Sequence, residues 1–274
     1  MKKHIFRRFL LLLLSAAVIS AVVSCTAPAD KSAENGRSES SLQTILRRGT
    51  IRVGTTGDFN PMSFKDPATG SYAGYDIELV ELLASDMGVT VEWVAADWKN
   101  LVTGIAAGKY DITTGASYNM GRAKTAGYTL PVVDVGTVPL VLKKNLAAFN
   151  SWESINSSKV TVATTLGTVF ADQAKQLFPE AVFRAVESPA RDYQEVLAGR
   201  AQISVTSNIE ASQLIKTYPE LAIVPGSGPK FGNAIGLLVP QSDQVLKNYI
   251  DTWIIMKEKS GYFDVLKKKW LSFE

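Results

Sequence analysis

The stretch YDIELVELLASDMGVTVEWV (residues 75–94) predicts a helix that is followed directly by a strand. Tyr75 to Met87 is expected to form the helix, with Asp76 as its cap and Gly88 as its stop. Apolar residues recur in this segment near helical spacing, at Ile77, Leu79, Val80, Leu82 and Leu83. Residues 89–94 predict the strand, so this stretch indicates part of a β-α-β unit.

The flanking segments extend the pattern to β-α-β-α-β. Ile51 to Thr55 (IRVGT) predicts a strand before the first helix. Trp98 to Ala107 predicts a second helix that ends at Gly108, and Tyr110 to Thr113 predicts a third strand. Such an alternation implies a parallel sheet with helices on its faces.

The same order of elements returns after residue 145. The predicted strands and helices there are Lys159 to Ala163, Thr168 to Leu177, Ala181 to Ala185, Arg191 to Leu197 and Ile203 to Thr206. Two βαβαβ units of about a hundred residues each predict two lobes. Apolar, strand-like segments at Val138 to Leu142 and Ile235 to Val239 flank the second unit. If both cross between lobes, the second lobe is an insertion and the crossings form a two-stranded hinge.

The sequence divides into a signal peptide, a tether and two lobes. Residues 1–25 are a lipoprotein signal peptide and residues 26–41 are a polar, flexible tether. Lobe 1 comprises residues 42–140 and 240–274, and lobe 2 comprises residues 141–239. The tail, Asp243 to Leu271, is helical in pattern.

The N-terminal segment predicts export and lipid attachment. Basic residues precede the apolar run LLLLLSAAVISAVV, which is short for a membrane span and ends at Ser24 before Cys25. Cys25 resembles the cysteine of a bacterial lipobox, which becomes the lipidated first residue. The alternative is an uncleaved anchor helix with an incidental cysteine. In both cases the body of the protein is expected outside the cytoplasm, anchored to the membrane.

Composition excludes several functions. Cys25 is the only cysteine and His4, in the signal segment, is the only histidine, so disulfides, thiolate metal sites and histidine-based hydrolase chemistry are not expected. The net charge of +3 includes four basic residues of the signal segment, which leaves about −1 for the rest. The rest therefore has no basic footprint for nucleic acid. We predict no metal and no cofactor, and nothing in the sequence requires more than a monomer.

Four segments that follow predicted strands are expected to line one cleft, because ligands bind beyond the carboxyl ends of such strands. They are residues 56–61, 114–122, 164–168 and 205–210. The candidate ligand-binding residues are Phe59, Trp98, Ser117, Asn119, Arg122, Thr165, Thr168, Ser207 and Glu210. The ligand is predicted to be a small molecule that carries a carboxylate.

Several of these residues have both a ligand-binding and a purely structural interpretation. Arg122 suits bidentate capture of a carboxylate, although a surface arginine is the alternative. Thr168 precedes a helix whose N–H groups and dipole favour an anion, or it is an ordinary cap. Glu210 is either an inward acid or a first-turn carboxylate that complements the helix dipole. Trp98 forms an aromatic wall or packs in the core. Asp58 is expected to bond to its own backbone in a turn, and a ligand-facing carboxylate is the alternative.

From about Leu42 to Leu271 the chain resembles the family 3 periplasmic solute-binding proteins, the polar amino acid-binding class. The residues that carry the resemblance are Arg52 to Thr55, Pro61 to Phe64, Gly74 to Ile77, Gly108 to Ile112, Arg122 and Gly167-Thr168. The resemblance implies the α/β, two-lobed type II binding-protein fold and a membrane permease or receptor as partner. It also implies that Arg122 holds the ligand carboxylate, helped by N–H groups near Ser117 and Thr168, and that Phe59 covers the ligand.

At residues 55–58, at Trp98 with Asn100-Leu101, at residues 117–119 and at residues 209–211 the chain resembles the cyclohexadienyl dehydratases, a branch within this family. That branch places a glutamate just after its Gly-Thr, where this chain has Val169-Phe170 and therefore lacks the expected general acid. Glu210 or Asp172 would have to supply the proton instead. Amino acid binders usually carry an aspartate at the position of Ser207, which pairs with the ligand ammonium. Three functions follow: a binding protein for an importer, a prephenate or arogenate dehydratase, and a sensor subunit.

Overall fold

A computed structural model describes residues 39–226 and 228–271. The predicted signal segment, the lipidation site at Cys25 and most of the tether lie outside these residues. The described residues from Ser40 onwards form one compact unit. Within the described part of the chain, no helix combines the length and apolar character needed to cross a membrane.

Helices and strands alternate through most of the described chain. The helices are α1 (Ser41–Arg48), α2 (Tyr75–Met87), α3 (Leu101–Ala106), α4 (Val169–Leu177), α5 (Asp192–Leu197), α6 (Asn208–Thr217), α7 (Gln244–Lys259) and α8 (Tyr262–Trp270). Short 3-10 helices span Arg122–Lys124, Lys143–Asn145 and Glu153–Ile155. The strands are β1 (Thr50–Thr55), β2 (Asp58–Phe59), β3 (Ser63–Lys65), β4 (Tyr72–Ala73), β5 (Thr90–Ala95), β6 (Ile112–Thr113), β7 (Gly115–Ser117), β8 (Ala126–Tyr128), β9 (Val133–Leu142), β10 (Thr161–Thr165), β11 (Val182–Val186), β12 (Ile203–Ser207), β13 (Leu221–Ile223) and β14 (Lys230–Pro240).

The first lobe contains a parallel sheet in the order β5-β1-β6. A small antiparallel sheet, β2-β3-β4, follows the carboxyl end of β1. Helix α2 buries Leu79 and Leu83 completely, and β1 does the same with Ile51 and Val53. The core of this lobe therefore lies between the parallel sheet and its helices.

The second lobe repeats this architecture and connects to the first through two long strands. Its sheet places β11, β10 and β12 in parallel, and β9 continues the sheet antiparallel to β12. Strand β14 pairs with β9 and also with β7 and β8 of the first lobe. The two long strands are the predicted hinge, and the α/β two-lobed fold is confirmed. The exact boundaries of the lobes stay predictions.

Helix α2 has the predicted first and last residues, but its cap differs from the prediction. Gly74, not Asp76, is the N-cap residue, and no side chain caps this helix. Asp76 lies fully buried in the first turn, where its Oδ2 accepts a hydrogen bond from Gly115 N–H at 3.0 Å. Its carboxylate therefore joins α2 to β7 instead of capping the helix. At the other end Gly88 is left-handed, with φ 72°, as expected for a helix stop.

Two further helix boundaries differ from the predictions. Helix α3 begins at Leu101 and not at Trp98, because the Asp97 side chain accepts hydrogen bonds from the Asn100 backbone and side chain and holds a turn. The helical tail is divided into α7 and α8 at Gly261, which has φ 76°. Both differences arise from local turn geometry that hydrophobic periodicity does not encode.

Replacing Asp76 with asparagine should make the protein more stable relative to the wild type as pH rises. Burial raises the pKa of Asp76 to about 7, with partial opposition from the Gly115 hydrogen bond. The unfolded chain therefore loses this proton near pH 4 and the folded chain only near pH 7, so the wild type loses stability in between, by at most about 1.4 kcal/mol per pH unit. Urea unfolding of both proteins from pH 4 to pH 8 measures the difference. A stability difference between the two proteins that does not change with pH would contradict the raised pKa of Asp76.

Candidate functional site

The predicted cleft lies where the carboxyl ends of the parallel strands of both lobes face each other. Across it, Arg122 Nη2 donates to the Gly167 carbonyl at 2.8 Å, and Ser188 Oγ donates to Asp58 Oδ2 at 3.0 Å. Arg191 Nη1 donates to the Asp58 carbonyl at 2.8 Å. The two lobes therefore contact each other through three of the predicted ligand-binding loops and through the loop after β11, which was not predicted.

Arg122 occupies the edge of the cleft. Its backbone N–H donates to Asn119 Oδ1 at 3.0 Å, which fixes the start of the 3-10 turn. Its Nη1 donates to the Ser117 carbonyl at 3.2 Å, so the guanidinium is held by its own loop and by Gly167 of the other lobe. The guanidinium carbon lies 5.8 Å from the centre of the Trp98 ring, within the range of a cation–π contact.

A cavity of 280 Å³ opens beside Arg122, and residues from both lobes line it. Its lining residues are Val102, Asn119, Gly121, Arg122, Gly167, Thr168, Val169 and Asp172. This cavity brings together four of the predicted site residues, including Asp172, the candidate acid of the alternative function. Val169 follows Gly167-Thr168, where the resemblance to the dehydratase branch implies a glutamate, but it is apolar, so the cavity wall there cannot donate a proton.

The N-terminus of α4 faces this cavity. Thr168 is the cap residue: its Oγ1 accepts a hydrogen bond from Ala171 N–H at 3.2 Å and donates to the Thr165 carbonyl at 2.7 Å. The Thr165 hydroxyl contacts Asp192 Oδ1 at 3.1 Å. The helix start therefore offers its dipole to the cavity, while the two threonine hydroxyls are engaged within their own lobe.

Arg191 is the centre of a second group of cleft residues. Its side chain is only 5% exposed, and its Nη2 donates to both Glu210 oxygens, at 2.9 and 2.7 Å. Its Nη1 also lies 3.3 Å from Asp58 Oδ1, and its Nε lies 3.9 Å from Asp192 Oδ1. Burial lowers the pKa of Arg191, but the charges of Glu210, Asp58 and Asp192 outweigh burial and raise that pKa above its ordinary value.

The Asp58 side chain contacts residues of both lobes instead of bonding within its own turn. Its Oδ1 accepts a hydrogen bond from Trp98 Nε1 at 2.9 Å, in addition to the contacts with Ser188 and Arg191 of the other lobe. The prediction that this side chain bonds to its own backbone is therefore wrong. The reason is that strand β2 directs the carboxylate across the cleft.

Glu210 is an inward acid that is already paired. It is 2% exposed, and Thr206 Oγ1 donates to its Oε2 in addition to the bonds from Arg191. Burial raises the pKa of Glu210 to about 7, and the charge of Arg191 acts in the opposite direction. Ser207 is fully buried, and its Oγ accepts a hydrogen bond from the Glu210 backbone N–H at 2.9 Å as the cap of α6. Direct ligand contacts by Ser207 and Glu210 stay predictions.

Two aromatic residues, Phe59 and Trp98, pack against each other near these groups. Phe59 and Trp98 are both buried, and their rings meet edge to face with centroids 5.8 Å apart. Trp98 touches Asp58 with its N–H and faces Arg122 with its ring. The structure therefore shows the packing interpretation of Trp98, and its role as a wall for the ligand stays a prediction.

Sequence reasoning missed Ser188 and Arg191. Both follow β11, which runs parallel to β10 and β12, so the loop after β11 reaches the same edge of the sheet. Arg191 was expected only as the first residue of a helix, whereas it is the residue before α5. The sequence does contain a signal for this part of the site, because an arginine follows the carboxyl end of a further parallel strand.

Comparison with known proteins identifies the family. Residues 51–273 match the model of the bacterial extracellular solute-binding proteins, family 3. The chain belongs to this family. Its members are extracellular proteins, which agrees with the export predicted from the N-terminus.

Relatives of this family 3 protein include both an enzyme and binding proteins. It is 30% identical to the cyclohexadienyl dehydratase of Pseudomonas aeruginosa over 236 residues, which are 86% of this chain and 87% of that protein. It is 22% identical to the L-cystine-binding protein TcyJ of Escherichia coli K12, over 94% of this chain and 96% of that protein. The crystal structure of the ancestral amino acid-binding protein AncCDT-1, a precursor of cyclohexadienyl dehydratase, matches with a TM-score of 0.80 and 35% identity, covering 85% of this chain and all of that one.

Replacing Gly167 with alanine should hinder closure of the lobes. A Cβ atom at Gly167 would lie 2.5 Å from the Lys99 backbone nitrogen of the other lobe, so the lobes would have to move apart. We expect weaker ligand binding by about tenfold or more, because binding must then overcome this steric conflict. Isothermal titration measures the change.

The matched control for this variant is Gly199→Ala. Gly199 also has a positive φ, 70°, but a Cβ atom there meets nothing within 4 Å. Both variants carry backbone strain, whereas only Gly167→Ala obstructs the other lobe. Equal affinities of the two variants would show that strain, not closure, determines the effect.

Proposed function

We propose that this protein is a lipid-anchored, extracytoplasmic binding protein that captures a small carboxylate-bearing ligand between its lobes and delivers it to an ABC-type membrane importer. The observation that carries the proposal is the position of Arg122. Its guanidinium bridges the lobes at the mouth of a cavity that also receives the N-terminus of α4. A carboxylate in that cavity would accept hydrogen bonds from Arg122 and would complement the helix dipole.

Capture of the ligand would close or stabilise the cleft. The carboxylate would replace the Gly167 carbonyl as the acceptor for Arg122 Nη2 and would connect the loop of one lobe to the helix start of the other. A ligand that contacts both lobes shifts the hinge equilibrium towards the closed form. An amino acid or a related organic acid fits this scheme, and Phe59 and Trp98 would contact its uncharged part.

Membrane attachment is the second element of the proposal. Cys25 after Ser24 in an apolar segment supports lipidation, and residues 26–41 would be the tether. Replacing Cys25 with serine is expected to move the full-length protein from the membrane fraction to the soluble fraction, because the lipid is its anchor. Fractionation followed by immunoblotting measures this. A Cys25→Ser variant that stays in the membrane fraction would support the uncleaved anchor helix instead.

A dehydratase is the second candidate function, favoured by the 30% identity to cyclohexadienyl dehydratase. The site offers two acids for that reaction. Both oxygens of Glu210 accept hydrogen bonds from Arg191 or Thr206, so proton donation would require the ion pair to break. Asp172 is exposed and lines the cavity beside Arg122, and so it is the better placed acid.

The deciding experiment uses the compact unit from Ser40 onwards. Thermal melts are recorded against amino acids, aromatic acids, dicarboxylates and prephenate, and phenylpyruvate is assayed in the prephenate sample. A ligand at a hundred times its Kd stabilises the folded state by about 2.7 kcal/mol. Stabilisation by one carboxylate without turnover supports the binding protein. Phenylpyruvate formation that is lost in Asp172→Asn supports the dehydratase.

A further inference from the structure

Arg191 lies at a point where three loops of the cleft converge. The loop after β1 supplies Asp58, the segment that begins α5 supplies Asp192, and the first turn of α6 supplies Glu210. Atoms of these three carboxylates lie between 2.7 and 3.9 Å from the guanidinium nitrogens. The guanidinium therefore binds two carboxylates of its own lobe and reaches Asp58 of the other lobe.

The charges around this position are unequal. Three carboxylates surround one guanidinium, and all three carboxylate residues are almost completely screened from solvent. Buried carboxylates require a cation or strong hydrogen-bond donors. Without Arg191, this end of the cleft would be a site for a cation, and a ligand with an ammonium or guanidinium group would satisfy it.

We propose that Arg191 is a specificity-determining residue whose guanidinium occupies the cation position of the cleft, so that the site admits carboxylic acids that carry no ammonium or guanidinium group. This inference rests on the proposed function and narrows its ligand class. A ligand cation would either meet the charge of Arg191 or would have to displace it from Glu210. Displacement weakens binding because a displaced buried charge loses its partners. A cation that leaves Arg191 in place finds both Glu210 oxygens already paired.

Arg122 and Arg191 would lie at the two ends of such a ligand. Trp98 stands between them, with its ring facing Arg122 and its N–H on Asp58, which in turn contacts Arg191. A ligand whose carboxylate is bound by Arg122 would lie along Trp98 and Phe59 and extend towards Arg191. The Nε atom of Arg191 is buried and has no hydrogen-bond acceptor.

The first test is chemical rescue of Arg191→Ala, which needs no knowledge of the natural ligand. Thermal melts are recorded in low-millimolar guanidinium chloride, methylguanidinium chloride, ammonium chloride and sodium chloride at equal ionic strength. We expect guanidinium salts to raise the melting temperature of Arg191→Ala selectively and to leave the wild type unchanged. Equal responses to all four salts would overturn the inference, because they would show that the three carboxylates do not form a cation position when the guanidinium is removed.

The second test compares ligand classes in matched pairs. Each pair consists of an amino acid and the keto or hydroxy acid with the same side chain, for example phenylalanine with phenylpyruvate and phenyllactate. The wild type is expected to prefer the acid without the ammonium group by about tenfold or more. Arg191→Ala should reverse this preference and gain affinity for L-arginine, whereas Arg191→Lys retains a cation and should keep the preference. An unchanged ranking in Arg191→Ala would overturn the inference.

The outcomes separate this inference from the proposed function. If Arg191→Ala does not fold, the double variant Arg191→Ala/Glu210→Gln, which removes one of the unpaired charges, is used in the same tests. A wild type that binds L-arginine or L-lysine tightly would overturn the inference but leave the binding function intact. A wild type that binds no carboxylate would remove the proposed function, and guanidinium rescue would still report on the position of Arg191.

Discussion

Replacing Arg122 with alanine is expected to lower affinity for the carboxylate ligand by about 2 to 5 kcal/mol, which corresponds to about 30-fold or more in Kd. The change removes the charge-assisted hydrogen bonds that the guanidinium would make to the carboxylate. It also removes the bond from Arg122 to the Gly167 carbonyl, which joins the two lobes. Isothermal titration with the carboxylate identified in the melts measures the loss.

Two variants serve as controls for this result. Arg122→Lys keeps the charge but loses the planar fork, so its affinity should lie between those of the wild type and Arg122→Ala. Lys99→Ala removes an ion pair with Glu187 that also joins the lobes, but both side chains of that pair are largely exposed. Its effect should therefore be small. Unchanged affinity in Arg122→Ala would remove the carboxylate site from Arg122.

The sequence predicts the elements of the fold well because periodicity and glycine stops are local signals. The helix from Tyr75 to Met87 has the predicted residues at both ends, and the strands that flank the second unit are present within β9 and β14. The errors are at caps. Asp76 follows a glycine at a helix start, as a capping acid would, yet its carboxylate is bonded to Gly115, which is 39 residues away. A partner this distant in sequence is determined by tertiary packing.

The candidate site was only partly predictable for the same reason. Strand ends identify the loops that face the cleft, so Arg122, Thr168 and Glu210 could be selected from their positions in the sequence. The hydrogen-bond or ion-pair partner of each side chain could not be predicted from these positions. Arg191 lies 19 residues from Glu210 and 133 residues from Asp58, and no local pattern connects the three. To predict charge pairs across a hinge, one must know which loops approach each other.

The network around Asp58 shows how the pairing supports closure without a ligand. Arg191 and Ser188 of the second lobe and Trp98 of the first lobe all contact this one carboxylate or its carbonyl. These contacts are shielded from water, so they are screened less by salt than exposed pairs are. A ligand that enters the cleft therefore competes with, or adds to, an existing set of contacts between the lobes.

The second large effect concerns stability. Replacing Glu210 with alanine is expected to lower the free energy of unfolding by about 3 to 5 kcal/mol, because it leaves the buried guanidinium of Arg191 without its main partner. Replacing both residues, as in Arg191→Met/Glu210→Leu, should cost clearly less. Asp58 keeps its donors from Trp98 and Ser188, and Asp192 keeps its bond to Thr165, so the remaining carboxylates stay hydrogen-bonded. Urea unfolding without ligand at neutral pH measures all three proteins.

Glu195→Ala is the matched control for the loss of a carboxylate. Glu195 is also bonded to arginines of the second lobe, Arg184 and Arg200, but the side chains of those arginines are about half exposed. Water can solvate them after the change, so the loss of stability should be smaller than in Glu210→Ala. If the double variant were as unstable as Glu210→Ala, the unpaired charge would not be the cause, and the loss would have to come from the packing of Glu210 alone. A smaller loss in the double variant shows instead that the buried pair is held by mutual neutralisation, which is the property that keeps a cation at this end of the cleft.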